Sequence, residues 1–207
     1  MSEARDDLQR LADLAASLRP HLPSAKPLPR LIFVTDPGRT PDPAAVAARL
    51  PAGSGVIYRS FGATNALEQA QSLAAIARER GLVLLIGADQ DLAQAVGAAG
   101  VHLPERDLAR AASLTAGHPD WIVTGAAHSL EAARLAEEFG CDAVLASTVF
   151  ASASASAGPP MGALAFADLV AAAPLPVYAL GGVNVKTARE LVSSGAAGFA
   201  MVEAFRT

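Results

Sequence analysis

Two adjacent glycines, Gly181 and Gly182, follow the short apolar run Val177–Leu180 and precede Asn184, which opens an amphipathic segment. This order predicts a strand, a glycine turn and a helix. Glycines at the end of a strand allow backbone N–H groups to approach an anion closely. In the last units of an eight-stranded barrel, such turns commonly bind a phosphate. The glycine pair therefore predicts a phosphate-binding site.

Other side chains able to do chemistry follow other apolar runs. The fork of Arg59 matches the oxygens of a phosphate or carboxylate, and a solvated strand-end charge is the alternative. Asp89 and Asp107 could share Mg²⁺ or act as surface caps. His128 stands at a helix start, where an imidazole could move protons or hold a turn by hydrogen bonds. His102 falls within a strand, which favours a structural role.

The low-complexity segment ASASASAG occupies residues 151–158, after the sixth apolar run, and contains Ser152 and Ser154. Its hydroxyl and N–H groups could meet a ligand as part of a lid. A polar loop with no ligand is the alternative interpretation.

Eight short apolar runs supply the elements that would position these residues, and helical patterns lie between most of them. Strands that alternate with helices pair in parallel through right-handed crossovers. Eight units predict a single (β/α)8 TIM barrel, and a doubly wound open sheet is the alternative. The predicted strands are Leu31–Thr35, Val56–Arg59, Leu82–Ile86, Gly100–Leu103, Trp121–Thr124, Ala143–Ser147, Val177–Leu180 and Gly198–Val202.

Residues 1–30 precede these units and form a separate region in the prediction: an extra N-terminal helix, ended by Pro20, and a proline-rich linker. Residues 31–207 then form the barrel domain. We expect the helix to cover the bottom of the barrel, where the strands begin, and an arm that binds a partner is the alternative.

Composition excludes several classes of function. The chain has 207 residues and a net charge of −4, so it lacks a general electrostatic footprint for nucleic acid. No apolar run is long enough to cross a membrane, and the charged N-terminus lacks the apolar core of a signal peptide. The single cysteine, Cys141, excludes an internal disulfide and a cysteine zinc cluster. We therefore expect a cytoplasmic protein with no nucleic-acid or membrane partner.

Several segments resemble the thiamine-phosphate synthase/TenI family. They are LIFVTD at 31–36, VIYRS at 56–60, GVHL at 100–103 with an acid after it, HSLEAA at 128–133 and ALGG at 179–182. The resemblance covers most of residues 31–205. It implies a (β/α)8 fold, a thiazole phosphate as the small-molecule partner, a role in thiamine biosynthesis and a homodimer.

The synthase branch of this family joins a pyrimidine diphosphate to a thiazole phosphate with Mg²⁺. The resemblance keeps Arg59 for the diphosphate and Asp107 for the metal. Other positions depart from the pattern and remove positive charge and metal ligation from the place of the diphosphate. Asp89 lies one position beyond the absent metal carboxylate and could restore it by a register shift. The departures are Ile57, Phe61, Gly87, Ala88, Ala127 and a sixth loop without lysine.

The TenI branch aromatises a thiazole phosphate tautomer by proton transfer and uses no metal. By resemblance, His128 takes the place of its proposed base. The phosphate would lie on Gly181, Gly182 and the backbone N–H groups of Val202 and Glu203. Glu203 replaces a small hydroxyl residue, and a carboxylate there repels a phosphate unless it points away.

The main interpretation is a TenI-like thiazole phosphate tautomerase with no cofactor, His128 as acid and base, and Arg59, Ser152 and Ser154 among the ligand contacts. A thiamine-phosphate synthase with Mg²⁺ on Asp107 is the second interpretation. A non-catalytic member that binds a thiazole-like ligand or regulates a partner is the third.

Overall fold

Strands and helices alternate along the chain as the apolar runs predict. The structure, a computed structural model, describes residues 2–152 and 158–202, with only the backbone for residues 2–6. The strands are β1 (Leu31–Val34), β2 (Gly55–Tyr58), β3 (Val83–Gly87), β4 (Gly100–Leu103), β5 (Ile122–Ala127), β6 (Ala143–Ala146), β7 (Val177–Ala179) and β8 (Gly198–Met201). The helices are α1 (Ser2–Ser17), α2 (Pro43–Ala47), α3 (Ala66–Arg80), α4 (Gln90–Val96), α5 (Ala111–Gly117), α6 (Leu130–Glu138), α7 (Gly162–Ala172) and α8 (Val185–Arg189), with a 3-10 helix over Glu105–Arg110.

The strands close into a barrel in chain order, and β8 pairs with β1. Every neighbouring pair is parallel, so all eight carboxyl ends meet at one end, which we call the mouth. This confirms the predicted (β/α)8 barrel and excludes the open doubly wound sheet. Among the helices that the structure describes, none is long and apolar enough to cross a membrane.

Alternate side chains along the strands fill the interior of the barrel. Ile32, Val34, Ile57, Leu85 and Leu145 are buried there in one cluster. The intervening residues point outward to the helices, and the small alanines of those helices allow close packing. Because each strand contributes only two or three inward positions, polar residues near the strand ends project into the mouth.

The bottom of the barrel is closed by Tyr178 and the linker. The buried Tyr178 hydroxyl donates to the Pro29 carbonyl at 2.7 Å, and burial raises the pKa of Tyr178. Leu28 packs against the same inner cluster. Gly198 leaves space for the tyrosine, since a Cβ at that position would lie 2.6 Å from Tyr178 Cε1.

Helix α1 packs outside the barrel, against α8 and β1. Its apolar stripe, which includes Leu11 and Ala15, is fully buried in that groove. The linker completes the bottom: the Lys26 ammonium donates to the Trp121 carbonyl and, at 3.0 Å, to the Asp142 carboxylate, just before β5 and β6. The bottom is therefore covered by the linker, whereas the sequence predicts that the helix covers it.

Regular α-helix is interrupted between β4 and β5 and at the end of α8. The first of these segments begins as a 3-10 helix and becomes α-helical only at Ala111. Helix α8 ends at Arg189 because the hydrogen bonds beyond it span three residues instead of four, as in Leu191 N–H to the Ala188 carbonyl.

Candidate functional site

The carboxyl ends of β2 to β5 place polar side chains at one level of the mouth. Gly87 pairs with His102, and His102 pairs with Thr124 on the next strand. Arg59 follows β2 directly and its stem lies over Gly87, where a Cβ would be 3.2 Å from Arg59 Cγ. Because Gly87 has no side chain, the Arg59 side chain can extend across the mouth at this point.

Arg59 is held from one side only. Its Nε donates to the Thr35 carbonyl at 2.7 Å, and its backbone N–H donates to Thr35 Oγ1 at 2.9 Å. Its Nη2 lies 3.5 Å from the Asp36 carboxylate, which also pairs with Arg39 at 3.2 Å. Burial lowers the pKa of Arg59, Asp36 opposes this shift and Arg39 adds to it. Arg59 remains charged at neutral pH and is fixed at the mouth, and its role in binding an anion stays a prediction.

His102, for which the sequence favours a structural role, lies in the same row of side chains at the mouth. Its Nδ1 lies 3.0 Å from Thr124 Oγ1, and its side chain is only partly exposed. Burial, and secondly the charge of Arg59, lowers the pKa of His102 to about 4. The imidazole is therefore neutral at physiological pH. The alternation of side chains along β4 could have predicted that His102 points into the barrel. The sequence does not show how close to the mouth this strand ends.

His128 follows β5 and contacts Glu105, the first residue of the 3-10 helix. Glu105 Oε2 lies 2.7 Å from His128 Nδ1 and accepts the His128 backbone N–H at 2.8 Å. One carboxylate oxygen thus fixes both the ring and the loop. If Nδ1 carries the proton, Nε2 is left as a base. Sequence reasoning missed Glu105, because nothing in its spacing pairs it with His128.

The Glu105–His128 pair is exposed and borders a groove. The side chains are 38% and 55% accessible, and the groove measures about 570 Å³ between the 3-10 helix and α6. Leu108, Leu135 and Phe139 supply its apolar part. No hydrogen bond among the described residues joins His128 to Gly181 or Gly182. A ligand that uses both must span the mouth between β5 and β7.

The glycine turn presents unpaired N–H groups. Gly181 and Gly182 have φ values of 93° and 64°, which favour glycine. The Gly181 carbonyl accepts the Phe150 N–H at 3.0 Å, and the Gly182 carbonyl accepts the Thr187 hydroxyl at 2.9 Å. Within the described chain, the N–H groups of residues 181–183 and 202 donate to no other group. With both carbonyls engaged, these N–H groups, which we call the glycine cradle, are available to an anion.

The loop between β6 and α7 is joined at its base. Met161 N–H donates to the Thr148 carbonyl at 3.0 Å, and Gly162 N–H donates to the Val149 carbonyl at 2.8 Å. Of the predicted ligand contacts in this loop, Ser152 is half-buried. Ser154, like Glu203 after β8, lies outside the described residues, so the predictions for both remain predictions.

The carboxylates expected to bind Mg²⁺ fit that role poorly. Asp89 Oδ1 accepts the Leu92 N–H at 2.9 Å and so caps α4. Asp107 lies in the 3-10 helix, 3.9 Å from Arg106 Nε. Among the described residues, no group of three or more His, Cys, Asp or Glu side chains converges as a metal site. Asp107 alone would leave most of the coordination to the substrate and water.

Comparison with known proteins identifies the family. A family model described as thiamine monophosphate synthase matches residues 31–205, which include every strand of the barrel. The chain belongs to this thiamine monophosphate synthase/TenI family. The resemblance inferred from the GVHL, HSLEAA and ALGG segments is thereby confirmed.

The chain is also similar in sequence to individual members of this family. The chain is 34% identical over 206 residues to the thiamine biosynthesis bifunctional protein ThiM/ThiE of Symbiobacterium thermophilum, covering 95% of this chain and 42% of that protein. It is 38% identical over 139 residues to the thiamine-phosphate synthase of Anaeromyxobacter dehalogenans, covering 67% of this chain and 62% of that one. The chain thus matches less than two thirds of the length of either relative.

A solved structure of similar fold is the thiamine phosphate pyrophosphorylase from Pyrococcus furiosus. The TM-score is 0.72 at 26% sequence identity, and the match covers 84% of this chain and 85% of that one. The chain therefore shares both its fold and its family with proteins named for thiamine biosynthesis.

Proposed function

We propose that this family member acts on a thiazole phosphate in thiamine biosynthesis, and that it transfers a proton rather than displacing a diphosphate. The observation that carries the proposal is the 2.7 Å contact between Glu105 Oε2 and His128 Nδ1. A carboxylate on Nδ1 orients the ring and stabilises the imidazolium that forms when Nε2 takes a proton. The pair therefore supplies an acid and base without a metal.

The phosphate of such a substrate would lie on the glycine cradle. Backbone N–H groups of residues 181–183 and 202 can bind a monophosphate by hydrogen bonds alone. Holding the phosphate fixes the ring relative to His128 and lowers the entropy cost of the proton transfer. No cofactor is needed in this mechanism.

The second candidate is a thiamine-phosphate synthase, and the names of the relatives favour it over the tautomerase. Its Mg²⁺ would rest on Asp107. Two observations count against it: Ile57 is buried in the barrel interior where the pattern has a polar amide, and the Asp89 carboxylate caps α4. A third candidate, a non-catalytic thiazole-binding protein, follows if neither reaction occurs.

The deciding experiment is turnover of the thiazole carboxylate phosphate tautomer, followed by the ultraviolet absorbance of the aromatic product. We expect turnover by the wild type, no loss with a chelator and a fall of roughly 100-fold or more in His128→Asn. Glu105→Gln should reduce kcat more than it raises KM, because it perturbs the base and leaves the phosphate site intact. His118→Asn, at the opposite end of the barrel, is the matched control.

A parallel assay tests the second candidate. Formation of thiamine phosphate from pyrimidine diphosphate and thiazole phosphate that requires Mg²⁺, and disappears in Asp107→Asn, would replace the tautomerase with the synthase. Turnover in neither assay, with binding of thiazole phosphate retained, would leave the non-catalytic role. The homodimer and the cytoplasmic location remain predictions, testable by light scattering and by cell fractionation.

A further inference from the structure

A second cavity lies on the outer surface of the barrel, and we call it the side cavity. It measures about 710 Å³ and lies between three parts of the chain: the end of α1 with the linker, helix α7, and the turn that joins α8 to β8. Small-molecule sites commonly measure about 300–1,000 Å³. The glycine cradle precedes α8, whereas the lining residues 192–195 follow it. The side cavity therefore stays open when a ligand occupies the mouth.

The walls of the side cavity are joined at Gly195. The His21 backbone N–H donates to the Gly195 carbonyl at 2.7 Å, which ties the linker to the turn after α8. A Cβ at Gly195 would lie 3.1 Å from His21 Cβ and 3.4 Å from Val170 Cγ1 on α7. The glycine thus allows the linker, α7 and the turn to approach one another. The cavity has a fixed backbone frame.

Arg19 and Asp168 place opposite charges on different walls of the side cavity. Arg19 stands on the wall formed by the linker, and Asp168 stands on α7. Both side chains are exposed, and among the described residues no ion pair or hydrogen bond reaches either of them. A guanidinium binds a carboxylate through two parallel N–H groups, and a carboxylate accepts from an ammonium group. The two walls therefore offer one site for each sign of charge.

The remaining polar groups of the cavity are either used by the chain or available to a ligand. Ser17 Oγ and Ser194 Oγ each donate, at 2.7 Å, to the backbone carbonyl three residues earlier. The Ser193 hydroxyl and the His21 imidazole make no hydrogen bond to any described residue. They supply neutral hydrogen-bonding groups beside the charged ones.

The balance of charge decides the class of ligand. A simple anion on Arg19 would face the Asp168 carboxylate across the cavity, and a simple cation on Asp168 would face Arg19. Like charges repel, so each of these ligands is disfavoured by the opposite wall. A molecule that carries both charges pairs with both walls. The surface between them is apolar and suits methylene groups, since it consists of Ala167, Ala171 and Val192.

We propose that the side cavity is a binding site for a small aliphatic zwitterion, with a carboxylate at one end and an ammonium group at the other. The carboxylate binds Arg19, the ammonium group binds Asp168, and the methylene chain lies along the alanines of α7. The site is separate from the glycine cradle and from the Glu105–His128 pair, and it does not rest on the proposed reaction.

Calorimetric titration of the full chain tests the site. The probes are β-alanine, γ-aminobutyrate, δ-aminovalerate and ε-aminocaproate, which differ only in the distance between their two charges. The controls are the two single-charge analogues of each probe, the fatty acid and the alkylamine of the same chain length. We expect one probe to bind at least roughly 10-fold more tightly than either of its analogues, as a further hydrogen bond to a charged group implies.

Four variants assign the two charges. Arg19→Gln should reduce the affinity for the zwitterion to that for the alkylamine, and Asp168→Asn should reduce it to that for the fatty acid. Arg78→Gln, which removes an exposed arginine of α3, should leave it unchanged. The double variant Arg19→Asp with Asp168→Arg should restore tight binding, because the zwitterion can turn around. Restoration separates a direct charge contact from a loss of folding.

Isotope-labelled protein locates the bound probe. The amide signal of Gly195 should shift in the NMR spectrum on addition of the zwitterion, and those of Gly181 and Gly182 should not. The proposal is overturned if no probe binds more tightly than its analogues, if tight binding survives in Arg19→Gln, or if only the glycine cradle responds.

Discussion

Replacing His102 by glutamine should make the protein less sensitive to acid. In the folded protein, burial and the charge of Arg59 hold the pKa of His102 at about 4, against 6.5 for a free histidine. Above about pH 6.5, the His102 ring is neutral in both the folded and the unfolded state, so it does not change the free energy of unfolding. As the pH falls below it, only the unfolded chain gains the proton, which lowers the free energy of unfolding. The loss stops growing below about pH 4, where the folded state is protonated too.

The size of the effect follows from the gap between the two pKa values. At about pH 5, the unfolded state gains about 2 kcal/mol from the proton on His102, and the limiting value is about 3 kcal/mol. This is a large part of the stability of an ordinary domain, which is about 5–15 kcal/mol.

Urea unfolding of wild type and His102→Gln at about pH 7.5 and about pH 5 measures the effect. Other titrating groups affect both proteins alike and cancel in the difference of differences. We expect the free energy of unfolding to fall by about 2 kcal/mol more in the wild type than in the variant. Equal falls would refute the reasoning, because they would mean that His102 titrates normally in the folded protein. Arg59→Gln should reduce the extra fall by removing one cause of the low pKa.

Three further predictions concern other parts of the barrel. Gly182→Ala should lose about 1–3 kcal/mol in urea unfolding, because its Cβ would lie 2.5 Å from the Ala151 carbonyl oxygen at a φ of 64°; an unchanged midpoint would contradict the packing described for the turn. Burial raises the pKa of Cys141 to about 12, so a thiol reagent should label the native protein far more slowly than the urea-unfolded protein at neutral pH, and equal rates would show that the thiol is accessible. Asp142→Ala should lower the free energy of unfolding by about 1–3 kcal/mol, more than Lys26→Met does, because it also removes the acceptor of the Val123 N–H at 2.8 Å; the reverse order would contradict this account.

The barrel could be predicted from the sequence because its signals are local. Strand-length apolar runs alternate with helical patterns, and turn residues such as Gly97 stand where the chain reverses. Gly97 has a φ of 63° after α4, as a helix-ending glycine should. The 3-10 helix before α5 was not predicted, because apolar spacing does not separate it from an α-helix over so short a stretch.

The candidate site could be predicted only in part. Arg59, His128 and the glycine pair were identified because each stands at or after the end of a predicted strand. Glu105 and Thr124 were not, because their roles depend on which side chains meet across neighbouring strands. Asp89 is a similar case. Its position after a predicted strand could be identified from the sequence, but its use as the N-cap of α4 could not.

The two hydrogen bonds at the base of the loop after β6 have a consequence for evolution and engineering. They bring Thr148 and Val149 beside Met161 and Gly162, so the excursion between them starts and ends at nearly the same place. The entropy cost of closing a loop between fixed ends grows only with the logarithm of its length. Loops of other lengths and compositions can therefore be exchanged at this position while the barrel strands keep their register. New ligand preferences can arise there without a new fold.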